Sequence, residues 1–83
     1  MRVTVRLFAR LRDEAGAALV TCDLAAGATV DDVWRQAVLQ HPALAPFGAA
    51  VSCAVNAEFA KRTTAVRDGD EVAFLPPVSG GRA

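Results

Sequence analysis

The sequence has little of the residue types that carry most enzymatic and nucleic-acid chemistry. Its 83 residues include one histidine, one lysine, two cysteines and no tyrosine, and the formal net charge is zero. Without a lysine- and arginine-rich surface, the electrostatic attraction that nucleic-acid-binding proteins depend on is missing. The sequence also lacks a phosphate-binding loop, a Ser-His-Asp or Cys-His arrangement and metal-ligand spacing. These absences argue against a nucleic-acid-binding protein, a metal site and catalysis by this chain alone.

Long apolar runs are missing too, and the N-terminus has no secretory hydrophobic segment. We therefore expect a cytoplasmic protein without membrane contact. Cys22 and Cys53 lie far apart in apolar stretches, where we expect buried small side chains; a disulfide or redox pair is the alternative. His41, at a helix end before Pro42, is expected at the surface or in a capping role, and Lys61 in solvent.

The N-terminal third of the chain has the alternating pattern of a β-hairpin. Arg2–Phe8 and Leu19–Leu24 each alternate apolar with polar residues, which predicts two half-buried antiparallel strands. Leu11–Gly16 contains charges, a glycine and no alternation, so we expect a turn there. The residues expected to face inward are Val3, Val5, Leu7, Val20, Cys22 and Leu24.

A helix is predicted to begin after Thr29. Thr29 and Asp32 have the spacing of a capping box, and Pro42 stops the helix just after His41. The apolar residues that follow share one face, which must lie against a sheet. This stripe consists of Val30, Val33, Trp34, Ala37 and Val38.

The C-terminal half predicts a loop and three more strands. Leu44–Ala50 is expected to be a loop with at most a short helical turn. Val51–Val55 and a short segment around Phe59 form the next two strands, joined by a tight turn. Asp68–Asp70 is a turn signal before the last strand, Glu71–Leu75, whose Val72 and Phe74 are expected to point inward.

This order of elements predicts an α+β fold. A mixed sheet of four to five strands, with the first and last strands parallel at its centre, would carry one main helix on one face. That is the β-grasp arrangement of ubiquitin-like proteins. We expect residues 1–75 to form this domain and residues 76–83 an extended, flexible C-terminal tail.

The tail has an unusual composition. Pro76 and Pro77 fix their backbone angles and favour an extended exit, whereas Gly80 and Gly81 have no side chain to pack. The six residues from Pro76 to Gly81 would span roughly 20 Å when extended. The pattern is typical of a thread that enters a narrow space; a disordered terminus is the alternative.

Three segments carry a family resemblance that covers essentially the whole chain. Asp68–Gly81, with the sequence DGDEVAFLPPVSGG, closely resembles the C-terminal signature of the small, sulfur-carrying subunit of molybdopterin synthase. Val5–Arg12 resembles the opening strand of the same family, and Ala54–Asn56 its third strand and turn. The resemblance implies a sulfur donor that is not itself the catalyst.

It implies that a ubiquitin-activating-like adenylyltransferase adenylates the Gly81 carboxylate with ATP, and that sulfur then replaces the adenylate to give a thiocarboxylate. The large subunit of molybdopterin synthase would receive the tail in its active site and pass sulfur to a pterin precursor. No cofactor bound to this chain is implied. The residues that would enter the partner are Pro76, Pro77, Val78, Ser79, Gly80 and Gly81.

Three apolar residues are candidates for the partner interface. Phe8 and Leu75 are expected to point away from the core beside the tail exit, and Phe59 extends this patch. The family has apolar residues at the three matching positions. Isolated exposed apolar residues are also common on ordinary surfaces, which is the alternative.

Arg82 and Ala83 depart from the family pattern, since its working form ends at the second glycine. They block adenylation unless a processing protease removes them; residues added in cloning and loss of the transfer chemistry are the alternatives. Other functions also remain open at this point. They are a sulfur carrier for thiamine or thio-amino-acid synthesis, a ubiquitin-like protein modifier, and a plain interaction module.

Overall fold

The computed structural model describes residues 1–77, and within them the chain forms five strands, two α-helices and one 3₁₀ helix. In chain order these are β1 (Arg2–Leu7), α1 (Ala9–Ala15), β2 (Leu19–Asp23), α2 (Val30–Gln40), the 3₁₀ helix (Pro42–Phe47), β3 (Ser52–Val55), β4 (Glu58–Ala60) and β5 (Glu71–Leu75). All five predicted strands and the main helix are confirmed, with ends that differ by one residue or so.

One mixed sheet contains all five strands, in the order β2-β1-β5-β3-β4. The central pair, β1 and β5, is parallel, and Val5 lies beside Val72 in its register. The other neighbouring pairs are antiparallel. This is the predicted β-grasp topology, and it places the strand that leads to the C-terminus between two others.

Helix α2 covers one face of the sheet and closes the core. The Trp34 and Phe74 rings meet edge to face with their centroids 5.0 Å apart. Phe74 is fully buried, and burial of such a side chain contributes roughly 2–3 kcal/mol. The predicted inward residues of β1, β2 and β5 are buried, except Leu24, which lies just beyond β2 and is half-buried.

The predicted capping box begins α2. The Asp32 amide donates to Thr29 Oγ1 over 3.4 Å, and the Thr29 amide donates to Asp32 Oδ2 over 2.9 Å. These bonds satisfy backbone donors that the first helical turn leaves unpaired. His41 caps the other end, where its backbone N–H donates to the Ala37 carbonyl over 2.8 Å. The capping role predicted for His41 is therefore confirmed for its backbone.

The turn predicted at Leu11–Gly16 is wrong, because Ala9–Ala15 forms helix α1. Lack of alternation excludes a strand but not a helix, and this segment consists mainly of good helix formers. Leu11 anchors the helix and is fully buried. Gly16 ends it in the left-handed conformation, with φ at 73°, and its N–H donates to the Arg12 carbonyl.

Arg62 fastens the segment between β4 and β5 to the helical layer. Its guanidinium donates to Asp31 Oδ1 over 2.8 and 3.1 Å and to the Gly48 carbonyl over 2.6 Å. The same group lies 5.8 Å from the centroid of the Trp34 ring. We call these contacts the Arg62 clamp; they join three segments that are distant in sequence.

Candidate partner-binding face and tail exit

The sheet face opposite α2 carries apolar side chains, and we call it the open face. The strand registers place Leu19, Arg6, Ala73, Ala54 and Phe59 side by side in one row across the five strands. The two residues at the ends of this row, Leu19 and Phe59, are 54% and 83% exposed. An exposed apolar surface of this kind is typical of a protein-binding site.

A second row on the open face lies closer to the C-terminal end of β5. Leu75 pairs with Ser52 and is half-buried. Phe8 follows Leu7 in an extended conformation, so the parallel register carries its side chain to the side of Leu75. Phe8, Leu75 and Phe59 therefore share this face; their role in partner binding remains a prediction. Leu19 was not a candidate, although its alternation with Val20 could have indicated it.

Charged side chains on the open face pair with one another. Arg6 Nη2 lies 3.2 Å from Glu71 Oε2, and Arg2 Nε lies 3.0 Å from Asp23 Oδ1. The hydrogen bond from Arg2, followed by its charge, lowers the pKa of Asp23. Both pairs are solvent-exposed, and such pairs add little stability. Their effect here is to leave the apolar rows without a strong charge of one sign.

The tail leaves the domain at the end of β5, beside α1. Pro76 is half-buried and Pro77 is exposed, and they border a cleft whose other lining residues are Ala9, Arg10 and Phe47. The Arg10 guanidinium lies 5.7 Å from the Phe47 ring centroid. Sequence reasoning did not identify Arg10 and Phe47, because α1 was not predicted. The proline rings fix the backbone angle φ at residues 76 and 77, and the cleft contacts these rings. Both features restrict the direction in which the chain leaves β5.

The other predicted tail residues, Val78, Ser79, Gly80 and Gly81, lie outside the described residues, as do Arg82 and Ala83. Strand β5 ends at Leu75, and the division into a domain of residues 1–75 and a tail of residues 76–83 remains a prediction. The start of that strand is fixed by the β3–β4 turn. Asn56 Oδ1 accepts from the Glu71 amide over 3.0 Å, and Asn56 Nδ2 donates to Asp70 Oδ1 over 3.0 Å.

Neither cysteine is placed to carry sulfur. Cys22 and Cys53 are free and buried, as predicted. Burial raises the pKa of both thiols, which favours the protonated and less nucleophilic form. The Cys53 thiol also donates to the Ala60 carbonyl over 3.1 Å. A sulfur-transfer function would therefore have to use another group of the chain.

Within residues 1–77, no three His, Cys, Asp or Glu side chains are grouped so that they could bind a metal ion. No helix in that range is long and apolar enough to span a bilayer.

Comparison with known proteins connects this fold to named relatives. The chain is 39% identical over 83 residues to the molybdopterin synthase sulfur carrier subunit of Chlamydomonas reinhardtii, covering 98% of this chain and all of the relative. It is also 39% identical to small archaeal modifier protein 1 of Haloferax volcanii, with 92% and 97% of the two chains covered. The crystal structure of SAMP1 from Haloferax volcanii superposes with a TM-score of 0.89 at 36% identity, covering 98% of this chain and all of that one.

A family model gives the same result over nearly the whole sequence. The model of the ThiS family matches residues 5–81, so the match includes the second half of β1, all of β5 and the glycine pair. It therefore contains both parts of the candidate site, the open face and the segment that follows Leu75. On the combined evidence of fold, site and sequence, this chain belongs to the ThiS family of ubiquitin-like β-grasp proteins.

Proposed function

We propose that this protein is the sulfur carrier subunit of molybdopterin synthase and donates sulfur from a thiocarboxylate at Gly81. The observation that carries the proposal is the placement of β5. This central strand ends at Leu75, on the open apolar face, and leads through Pro76 to the glycine pair included in the family match. The relatives named as sulfur carrier subunits of molybdopterin synthase, in a green alga and in Arabidopsis thaliana, support the same function.

The proposed chemistry has two steps at one carbon atom. The Gly81 carboxylate attacks the α-phosphorus of ATP on an adenylyltransferase, pyrophosphate leaves, and an acyl adenylate forms. A sulfur nucleophile supplied by a donor then attacks the acyl carbon, and AMP leaves as the carbon–sulfur bond forms. Glycine suits both steps, because an acyl carbon without a neighbouring side chain is open to attack and passes through a narrow channel.

The open face gives the partner a surface to bind while the tail is in use. Phe59, Leu75 and Phe8 would pack against the large subunit, which supplies the catalytic residues, and the prolines would direct the chain into its active site. Holding the acyl carbon at a fixed position in that site converts a bimolecular transfer into an effectively intramolecular one. The function of this chain is thus to present a reactive group rather than to catalyse the reaction.

Arg82 and Ala83 place a peptide bond where the proposed chemistry needs a free carboxylate. The family match stops at Gly81, which supports a working form that ends there. We propose that a processing protease removes the last two residues before activation.

The test compares a chain that ends at Gly81 with the 83-residue chain. Each is incubated with the adenylyltransferase and ATP, and pyrophosphate release is measured. Only the shorter chain should release pyrophosphate; equal release from both would contradict the role of Gly81. A sulfur donor should then raise the intact mass by one sulfur-for-oxygen exchange. The thiocarboxylate form, mixed with the large subunit and the pterin precursor, should yield molybdopterin and return to the carboxylate.

Protein modification is a second candidate function, favoured by the similarity to small archaeal modifier protein 1. The activated Gly81 carboxyl group would then be transferred to lysine amines of other proteins. Mass spectrometry of the protein isolated from its host distinguishes the two functions. Conjugates joined through lysine indicate a modifier, and a free thiocarboxylate indicates a carrier.

A further inference from the structure

We propose that Arg10 and the cleft beside the tail exit form a second contact site for the large subunit of molybdopterin synthase, and that this site takes a carboxylate side chain from the entrance of the large subunit's channel. The inference deepens the proposed function and rests on it, since it needs a partner that draws in the chain after Pro77. All residues of the site lie within residues 1–77.

The cleft is formed by three segments that meet only at the tail exit. They are the start of α1, the end of the 3₁₀ helix and the chain after β5, and the lining residues are Ala9, Arg10, Phe47, Pro76 and Pro77. The cleft volume of about 420 Å³ is enough to admit a side chain of a partner. Four of these five residues are apolar, so Arg10 supplies the charge of the lining.

The Arg10 guanidinium is held at the cleft without a hydrogen bond to a carboxylate of residues 1–77. It lies 5.7 Å from the centroid of the Phe47 ring, a cation–π contact that uses none of its N–H groups. Within that range the nearest carboxylate oxygen is Glu14 Oε2, which is 3.9 Å from Arg10 Nε and beyond hydrogen-bonding distance. A guanidinium presents five N–H donors in a fork that matches a carboxylate. The geometry therefore favours an anionic occupant.

The backbone before α1 directs two consecutive side chains to two different surfaces. Phe8 is extended, with φ at −117° and ψ at 152°, and its carbonyl accepts from the Leu11 amide over 3.1 Å. Ala9 then has φ at 50°, a left-handed value that is unfavourable for a residue with a side chain. The turn leaves Phe8 on the open face and brings Arg10 to the cleft. Strained positions of this kind cluster at functional sites, which supports a binding role for the residues on either side.

The tail decides which protein covers the cleft. Pro76 is half-buried and Pro77 is exposed, and both line the cleft. A partner that takes in the chain after Pro77 must place the entrance of its channel around these two residues, directly beside Arg10. Because Phe8 on the open face is followed at once by Ala9 in the cleft, the two surfaces are continuous. One bound partner would therefore cover both.

A partner that covers the cleft also has to neutralise Arg10. The Arg10 side chain is 72% exposed in the free chain, where water solvates its charge. Binding removes this water, and a desolvated cation without an anion beside it weakens association strongly. A carboxylate of the partner, with its apolar stem against the proline and Phe47 rings, would restore the lost interactions through bidentate hydrogen bonds.

The test measures binding to the large subunit by calorimetric titration, with chains that end at Gly81. Arg10→Gln removes the charge and should weaken binding at least about tenfold, and Arg10→Glu should weaken it further. The loss should be greatest at low salt and should shrink as sodium chloride is added, because the interaction is partly electrostatic. Equal affinity of Arg10→Gln and the parent chain would overturn the proposal.

Two variants separate partner binding from other effects of the charge. Arg67→Glu reverses an exposed charge before β5, at the end of that strand away from the tail exit, and should bind like the parent chain. Glu14→Gln removes the i,i+4 partner of Arg10 and should also bind like the parent. If Arg67→Glu weakens binding as much as Arg10→Glu, net charge explains the loss. If Glu14→Gln weakens it as much as Arg10→Gln, the contact within α1 does. Either result would contradict the proposal.

A reciprocal change in the partner identifies the occupant of the cleft. Replacing one Asp or Glu at the channel entrance of the large subunit by Lys should restore binding of Arg10→Glu and weaken binding of the parent chain. If no such replacement restores binding, the occupant is not a carboxylate and the proposal is wrong.

The parent chain separates this proposal from the proposed function. If the parent chain binds the large subunit and Arg10→Gln binds equally well, the cleft proposal alone is contradicted and the carrier function stands. If the parent chain does not bind the large subunit, the carrier function is contradicted, and the cleft proposal with it.

Discussion

Phe59 and Ala54 face each other across the β3–β4 pair on the open face, and their exposures are opposite: Phe59 is 83% exposed and Ala54 8%. The small side chains of Ala54 and Ala73 thus leave the middle of the open face flat, and the Phe59 ring projects from the sheet beside them. A partner can bury this ring without moving the domain core.

Phe59→Asp should weaken binding to the large subunit of molybdopterin synthase at least tenfold, because exposed aromatic side chains often dominate interfaces. Leu39→Asp is a matched control, since Leu39 is 75% exposed on α2, away from the open face. Calorimetric titration should show the loss for Phe59→Asp alone. If the two variants bind equally well, the open face is not the interface. Both should change the free energy of unfolding by only about 0.5 kcal/mol.

Arg62→Ala should destabilise the fold by about 1–2 kcal/mol, because it removes the Asp31 and Gly48 contacts of a partly buried guanidinium. Arg35 also pairs with Asp31, but the Arg35 side chain is 74% exposed. Arg35→Ala should therefore lower the free energy of unfolding by about 0.5 kcal/mol or less. Urea unfolding of the two variants checks the difference. Equal costs would mean that the Arg62 clamp contributes no more than a surface ion pair.

Protonation of Asp32 at low pH should destabilise the start of α2. The hydrogen bond from the Thr29 backbone, followed by that from the Thr29 hydroxyl, lowers the pKa of Asp32 in the folded state. A carboxyl group with a lowered folded pKa stabilises the fold above its unfolded pKa, and this stabilisation is lost as the pH falls from about 4 through the lower folded value. Asp32→Asn should therefore flatten the pH dependence of the melting temperature below about pH 4. Asp13→Asn in α1 makes the same charge change without a helix cap, and an equally flat profile for it would contradict this assignment.

Ala57→Gly should stabilise the protein by about 0.5 kcal/mol. Ala57 has φ at 71°, a left-handed conformation that glycine adopts without strain, and it follows Asn56 in a hairpin turn where Asn-Gly is favoured. Ala43→Gly, in the 3₁₀ helix, should instead destabilise by a similar amount. Thermal unfolding measures both, and a loss of stability in Ala57→Gly would show that the turn tolerates alanine without strain.

In the chain that ends at Gly81, Cys22→Ala and Cys53→Ala should each gain sulfur at the C-terminus as completely as the unsubstituted form, because both thiols are buried and away from the proposed transfer. Intact mass after activation gives the sulfur content. If either variant is folded by circular dichroism but gains no sulfur, that cysteine takes part in the transfer.

The sequence was sufficient to predict the sheet and α2 because their signals are periodic over many residues. Val3, Val5 and Leu7 alternate over a whole strand, and the Thr29 capping box marks a helix start independently of the apolar stripe. Helix α1 was missed because it spans seven residues and buries only Leu11, too little for a period to be visible.

Only the part of the candidate site that lies on strands could be predicted, because only strands gave a periodic signal. Phe8, Phe59 and Leu75 follow from strand alternation once the strand order is known. The Arg10 and Phe47 contacts beside Pro76 arise from two short helices that meet only in the folded chain. The Arg62 clamp also joins segments that no local pattern connects.

The position of β5 between β1 and β3 has a mechanical consequence. In the proposed sulfur-transfer cycle, withdrawal of a spent tail from a partner would apply a pulling force to the domain at Leu75, along the axis of the central strand. The hydrogen bonds to both neighbours then resist in shear and share the load, whereas an edge strand pulled sideways would lose its bonds one after another. A force applied to the chain after Leu75 should therefore not unravel the domain strand by strand from that end.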